Sequence, residues 1–205
     1  MAGRACQLDQ TVNITDGCMQ PLLYTSQRFY PGLRQFTVQP GSRIIQEGSV
    51  RIVLGSNPEV VEDRPYVADL QFIDPKIGSE LLVVQTTPPT LVRIDTSVNE
   101  EGSTIDKVMG TVGLCRNPNL LTIARPTQEE WLAFVSCYAD DEIVAVALGA
   151  FVKVASIPVG DGPNEMVVDE RRQKLYVVNT LEDSLAIIEL SRKSPQFLQT
   201  IAYIE

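Results

Sequence analysis

From residue 65 onward the chain is one pattern written three times. Residues 65–113 contain PYVADLQFIDP, ELLVVQT, TLVRIDT and IDKVMGTVG in that order. Residues 114–160 contain LCRNPNLLTIARP, WLAFVSC, EIVAVAL and FVKVASIPVG. Residues 161–205 contain DGPNEMVVDE, KLYVVN, SLAIIEL and FLQTIAYIE. Each unit is four short apolar runs, at a period of about 47 residues. A repeat of this kind restricts the fold severely. One unit cannot bury both of its faces alone, so successive units must stack on one another.

The register can be followed residue by residue. Tyr176-Val177-Val178-Asn179 lies over Leu82-Val83-Val84-Gln85, and Leu185-Ala186-Ile187-Ile188-Glu189 lies over Leu91-Val92-Arg93-Ile94-Asp95, without a gap. Gly160 follows Gly113 by one period. The middle unit fits with a one-residue insertion, so that Leu132, Phe134 and Val135 match Leu175, Val177 and Val178, and Ser136 falls on Asn179. The middle runs LYVV, LLVV and LAFV are continuously apolar, as strands covered on both faces are. They are rich in β-branched and aromatic residues, which suit a packed pleated surface. Thr87-Pro88-Pro89-Thr90, Asp140-Asp141 and Glu182-Asp183-Ser184 supply turn residues between them. Four strands per unit at this period predict an all-β chain of the β-propeller class. The predicted blades are 65–113, 114–160 and 161–205, with an irregular fourth over 12–58. In that fourth blade, residues 10–14, 21–26, 33–38 and 50–55 supply the strands.

The stretch VGDGPNEMVVDERRQKLYVVNTLEDSLAIIEL resembles the YVTN-type propeller repeat of surface-layer and extracytoplasmic proteins. In that family a Gly-x-x-Pro lead-in precedes the first strand; here it is Gly160 to Pro163. A Leu-Tyr-Val-x-Asn second strand follows at 175–179, then an acidic turn at Glu182-Asp183 and a third strand ending in Glu189. The chain departs from the pattern at Ser136 and Gln85, which stand where the family has Asn. The resemblance implies an extracytoplasmic location and a ring of seven or eight blades. The export signal is not in this chain, because MAGRACQLDQ has no apolar stretch. Four blades would then be a segment of a larger ring. An open segment leaves blade faces uncovered and strand edges unpaired, which favours self-association. Closure of four blades, or completion by a second chain, are the other outcomes.

Charge and residue content narrow the chemistry. The net charge of −9 opposes binding to nucleic acid and to anionic membranes, since phosphates would be repelled. No apolar run is long enough for direct membrane insertion. The chain has no His, which removes the commonest general base and the imidazole metal ligands. No GxSxG elbow is present. Loops joining the second strand to the third, and the fourth to the next first strand, emerge on one face of a propeller. That places Asp140, Asp141, Asp161 and Asp183 on a common rim, beside Glu182. Clustered carboxylates suit calcium; solvated turn residues are the ordinary reading, and no other cofactor is expected. Cys115 precedes the first strand of its unit and Cys137 ends the second, at the same end of adjacent strands. A bridge between them is expected, leaving Cys6 and Cys18 to pair; buried free thiols are the alternative. Two functions follow. One is a non-enzymatic scaffold presenting loops to a protein or glycan partner. The other is a propeller hydrolase of the lactonase-like, calcium-dependent type.

Overall fold

The computed structural model describes residues 67–205 apart from 75–78, 98–99 and 101–104, with the backbone of four strands nearer the N-terminus. Among the described residues every regular element is a strand. The strands form four antiparallel sheets of four, each in simple chain order. The first holds β1 (Ala2–Gly3), β2 (Leu22–Ser26), β3 (Gly32–Val38) and β4 (Ile45–Val53). The second holds β5 (Val67–Phe72), β6 (Glu80–Thr86), β7 (Pro89–Asp95) and β8 (Lys107–Gly113). The third holds β9 (Pro118–Ala124), β10 (Leu132–Cys137), β11 (Glu142–Ala147) and β12 (Val152–Pro158). The fourth holds β13 (Pro163–Asp169), β14 (Lys174–Asn179), β15 (Ser184–Glu189) and β16 (Thr200–Ile204).

Near the N-terminus, β4 begins before the strand predicted at 50–55, and Ala2–Gly3 pairs with β2. The predicted first strand at 10–14 lies outside the described residues, as do Cys6 and Cys18. The chain divides into two compact units, Met1–Pro88 with Val92–Gly110, and Pro89–Leu91 with Thr111–Glu205.

In the first unit Phe72 lies opposite Leu81 and Leu70 opposite Val83. With Val92 and Ile94 they form a buried apolar face. Leu82, Val84 and Leu91 are wholly buried as well, which accounts for the unbroken apolar run of β6.

In the second unit the third and fourth sheets stack face to face. Leu132, Phe134, Ile143, Ala145 and Ile157 of the third sheet share one core with Leu175, Val177, Ala186 and Ile188 of the fourth. Each Leu, Val, Ile or Phe among them contributes roughly 1.5–3 kcal/mol on full burial. A polar contact closes this interface on each of its four sides. Asn119 Nδ2 donates to Asn164 Oδ1 at 2.7 Å between the first strands. Thr200 Oγ1 donates to the Pro158 carbonyl at 2.6 Å between the last strands. The Gly162 N–H donates to Asp141 Oδ1 at 3.0 Å on one rim, and Arg192 pairs with Glu130 on the other.

The observed register corrects two alignments. Cys137 pairs with Pro118 as Asn179 pairs with Pro163, so Cys137, not Ser136, takes the place of Asn179. Both blades carry a β-bulge at this point, and the extra length of the third sheet lies instead in its β9–β10 connection, residues 125–131 against residues 170–173 in the fourth. Likewise β8 and β12 end at Gly113 and Pro158, so the residue three before the lead-in proline is Cys115 in one unit and Gly160 in the next.

Candidate functional site

The rim that carries the acidic turns is built twice in the second unit, by the same construction. Each first strand starts at a proline, Pro118 or Pro163, preceded by a residue with positive φ. That residue is Asn117 (φ 51) in one blade and Gly162 (φ 64) in the next. Asn and Gly tolerate this left-handed backbone where most residues do not. Its carbonyl accepts the N–H that follows the second strand: Tyr138 to Asn117 at 3.3 Å, and Thr180 to Gly162 at 3.0 Å. The turn acid three residues past the strand end then reaches back to the lead-in loop. Asp140 accepts the Arg116 N–H at 2.8 Å and its Nε at 2.6 Å. Glu182 does the equivalent with the Asp161 N–H, and also accepts from the Ser184 hydroxyl. Asp141 (φ 53) and Asp183 (φ 52) close the two turns in the left-handed region.

These bonds set the electrostatics. The Arg116 backbone N–H, then its guanidinium, hold Asp140 below the ordinary carboxylate range. The Ser184 hydroxyl, then the Asp161 N–H, hold Glu182 low. Both groups are ionised at neutral pH and already supplied with donors.

The four candidate carboxylates therefore have unlike surroundings. Asp140 is bonded to Arg116 in its own blade. Asp141 bridges from the β10–β11 turn to Gly162 at the start of the next blade. Asp161 and Asp183 are exposed turn residues beside Glu182. Among the described residues no group of three or more Cys, Asp or Glu side chains is placed to hold a metal ion.

Beneath the rim the two blades solve one packing problem in different ways. Asn179 is buried and donates to Ser184 Oγ at 2.8 Å. Gly160 lies so close that an added Cβ would sit 1.6 Å from Glu182 Oε1 and 2.6 Å from Asn179 Nδ2. In the preceding blade Cys115 and Cys137 occupy the positions of Gly160 and Asn179, and they are joined as a disulfide with a Cα–Cα distance of 5.8 Å. The bridge expected from strand-end placement is present.

Several rim residues escaped the sequence reading. Arg116 carried no signal in the sequence, because its partner lies 24 residues away. Asn119 and Asn164 carried a visible signal, the dipeptide Pro-Asn recurring at 118–119 and 163–164. They stand side by side on β9 and β13, the first-strand edge of the sheet pair.

No family model matches the sequence, and no curated protein does. Solved structures do. A putative 6-phosphogluconolactonase from Bacteroides fragilis is 15% identical with a TM-score of 0.67, over 93% of this chain and 55% of that one. The periplasmic gluconolactonase of Pseudomonas aeruginosa is 14% identical with a TM-score of 0.62, over 90% of this chain and 51% of that one. A dihydro-heme d1 dehydrogenase is 12% identical with a TM-score of 0.65, over 91% of this chain and 35% of that one. The protein has a β-propeller fold. At these identities the likeness extends to the fold alone, and the chain spans 35% to 55% of the length of these three proteins.

Proposed function

We propose that this chain is a non-enzymatic propeller scaffold of the YVTN type, working outside the cytoplasm and presenting its acidic rim loops to a protein or glycan partner. The observation that carries the reading is the repeated bracing of the rim. Asp140, Asp141 and Glu182 spend their oxygens on the N–H groups of the lead-in loops, which fixes those loops in place. Ala139, Asp161, Leu181 and Asp183 are left exposed at the tips, on a rigid support. Such an arrangement suits recognition, in which loops vary over a fixed frame. The extracytoplasmic location is supported by the Cys115–Cys137 disulfide, because such bridges persist in oxidising compartments, and by likeness to a periplasmic protein.

A lactonase-like hydrolase, dependent on calcium, is the second reading. It is favoured by the gluconolactonases among the similar folds and by the Asn119–Asn164 pair on the first strands, whose amides suit a polyhydroxylated ligand. One experiment separates the two. The chain is tested on a glycan array and, with and without millimolar calcium, for hydrolysis of glucono-1,5-lactone. Glycan binding that is lost in Asp161→Lys/Asp183→Lys, with no turnover, supports the scaffold. Calcium-dependent turnover that is lost in Asn119→Ala overturns it in favour of the hydrolase.

A further inference from the structure

We propose that the Cys115–Cys137 bridge is a redox latch: its reduction by a dithiol frees the lead-in loop 115–117 from the end of β10 and loosens one side of the rim, while the stacked blades stay folded.

The bridge lies where the fold does not require a covalent bond. Three blades treat this junction in three ways. In the fourth sheet Gly160 packs against Asn179 and Glu182 with no covalent link. In the second, Gln85 stands at the position of Asn179 and donates to the Thr87 carbonyl of its own turn at 2.5 Å. Only the third uses a disulfide. The core that joins the third and fourth sheets is made elsewhere, by Leu132, Phe134 and Ile143 against Leu175, Val177 and Ile188.

What the bridge holds is the rim. The residues beside its two ends carry the bonds between loop and turn. The Arg116 N–H and Nε donate to Asp140, and its Nη2 donates to the Ala139 carbonyl at 3.2 Å. The Tyr138 N–H donates to the Asn117 carbonyl, and the Asp140 N–H to the Cys137 carbonyl at 3.1 Å. Arg116 and Asn117 are exposed, and exposed ion pairs add little by themselves. The covalent bond therefore carries the closure of this loop, and the polar bonds around it depend on the closure. Segments of this kind open locally without global unfolding.

The two sulfurs differ in access. Cys137 is wholly buried, whereas Cys115 is 8% exposed. A reducing thiolate therefore attacks Cys115 Sγ. The S–S bond breaks as Cys115 Sγ bonds to the reductant sulfur, and Cys137 leaves with the electron pair and takes a proton. The second thiolate of the reductant then displaces Cys115, which takes a proton in turn, and the dithiol departs as a disulfide. Two electrons and two protons pass from the dithiol to the protein. The Cys137 thiol has an acceptor within reach, because the Val135 carbonyl lies 3.7 Å from its Sγ. Two unbonded sulfurs cannot remain at bonding distance. Cys137 is enclosed on β10, so the loop bearing Cys115 takes up the separation and draws Arg116 from Asp140. A redox change at one bond thereby becomes a change in rim order and charge.

The inference does not rest on the scaffold reading, because it is read on the loop itself. Amide exchange of the full chain is followed by NMR in three forms: oxidised, reduced with dithiothreitol, and Cys115→Ser/Cys137→Ser, which leaves Cys6 and Cys18 unchanged. Differential alkylation with peptide mapping identifies the thiols that reduction exposes. The Arg116, Tyr138 and Asp140 amides should exchange at least about tenfold faster in both open forms. Thr180 and Leu181, which make the corresponding bonds in the next blade, should keep their rates, and oxidised dithiothreitol should restore the first set. Unchanged rates at Arg116, Tyr138 and Asp140 would overturn the proposal. So would a Cys115 that resists reduction until denaturant is added. Acceleration that spreads to Thr180, Leu181 and the strand amides of β10 and β14 would also overturn it, marking a bond that holds the fold rather than a loop.

Discussion

The paired solutions at the base of the rim allow a quantitative substitution experiment. Cys115 and Cys137 are 22 residues apart in sequence and are both buried. Closing a loop of that size lowers the entropy of the unfolded chain by an amount worth roughly 3 kcal/mol. In a chain of this length each kcal/mol moves the melting temperature by about 2–4 °C. Cys115→Ala/Cys137→Ala should therefore melt about 6–12 °C below the native protein. A second double variant, Cys115→Gly/Cys137→Asn, installs the residues of the following blade, Gly160 and Asn179. The turn partners are already in place, with Asp140 where Glu182 stands and Glu142 where Ser184 stands. A new buried amide bond contributes about 0.5–1.5 kcal/mol net, so this variant should recover a few degrees over the alanine pair. Scanning calorimetry reads both numbers, with peptide mapping to verify the native bridge. An alanine pair melting within about 2 °C of the native protein would refute the entropic argument. A Gly/Asn pair no better than alanine would refute the equivalence of the two sites.

Three further outcomes follow from the same geometry. Gly160→Ala should cost about 1–3 kcal/mol by urea denaturation, since its Cβ would meet Glu182 and Asn179. Gly113→Ala, which meets nothing within 4 Å, is the matched control and should be near neutral. Phe134→Ala, which empties the centre of the core between the third and fourth sheets, should cost about 3–5 kcal/mol in the same assay. The pH dependence has a fixed sign. Asp140, Asp169 and Glu182 are all held below their ordinary values in the folded chain, so their contribution is present above those values and is lost as pH falls through them. The melting temperature should stay level from pH 7 to about 5 and then decline. Asp140→Asn should shallow that decline, and an unchanged acid limb in this variant would show that the Arg116 bonds carry no stability.

The fold was legible because stacked blades leave a strong record in the chain. Strands covered on both faces give unbroken runs such as Leu81 to Val84, and the turns between them need Asn, Asp, Gly or Pro. Register was less legible where connections differ in length. The β9–β10 connection, residues 125–131, is longer than its counterpart at 170–173, and an alignment that carries part of the difference into the strand matches Ser136 to Asn179. The rim was legible as a cluster of acids but not as a set of bonds. Asp140 and Glu182 bond to backbone N–H groups, and no residue type at the receiving end announces that contact. The disulfide could be anticipated because its two positions were fixed by strand ends. The half-exposure of the fourth sheet's Tyr176, Leu185 and Ile187 was hidden for the opposite reason. Tyr176, Leu185 and Ile187 read as core residues, and burial on a second side is a property of a neighbour rather than of the strand itself.

The substitution of a disulfide for a hydrogen-bonded asparagine shows where this scaffold tolerates change. Gly160 and Cys115 have no chemistry in common, yet each stands three residues before a lead-in proline and faces the end of the second strand. What the repeat preserves there is a contact between loop and strand, made by a glycine that admits Asn179 and Glu182 in one blade and by a covalent bond in the other. The same holds one step outward, where Asp140 and Glu182 differ by a methylene and each reaches a lead-in N–H. Moving out again, the tips keep a loop-to-turn bond but not its side chains: Ala139, whose carbonyl accepts from the Arg116 guanidinium, stands against Leu181, whose N–H donates to the Asp161 carbonyl. Constraint thus falls from the strand ends to the turn acids to the tips. A partner-binding surface that varied along that gradient could change at Leu181, Asp161 and Asp183 without disturbing the contacts that hold the blades together. Substitutions at Asn179 or Gly160 would alter stability first and recognition only as a consequence.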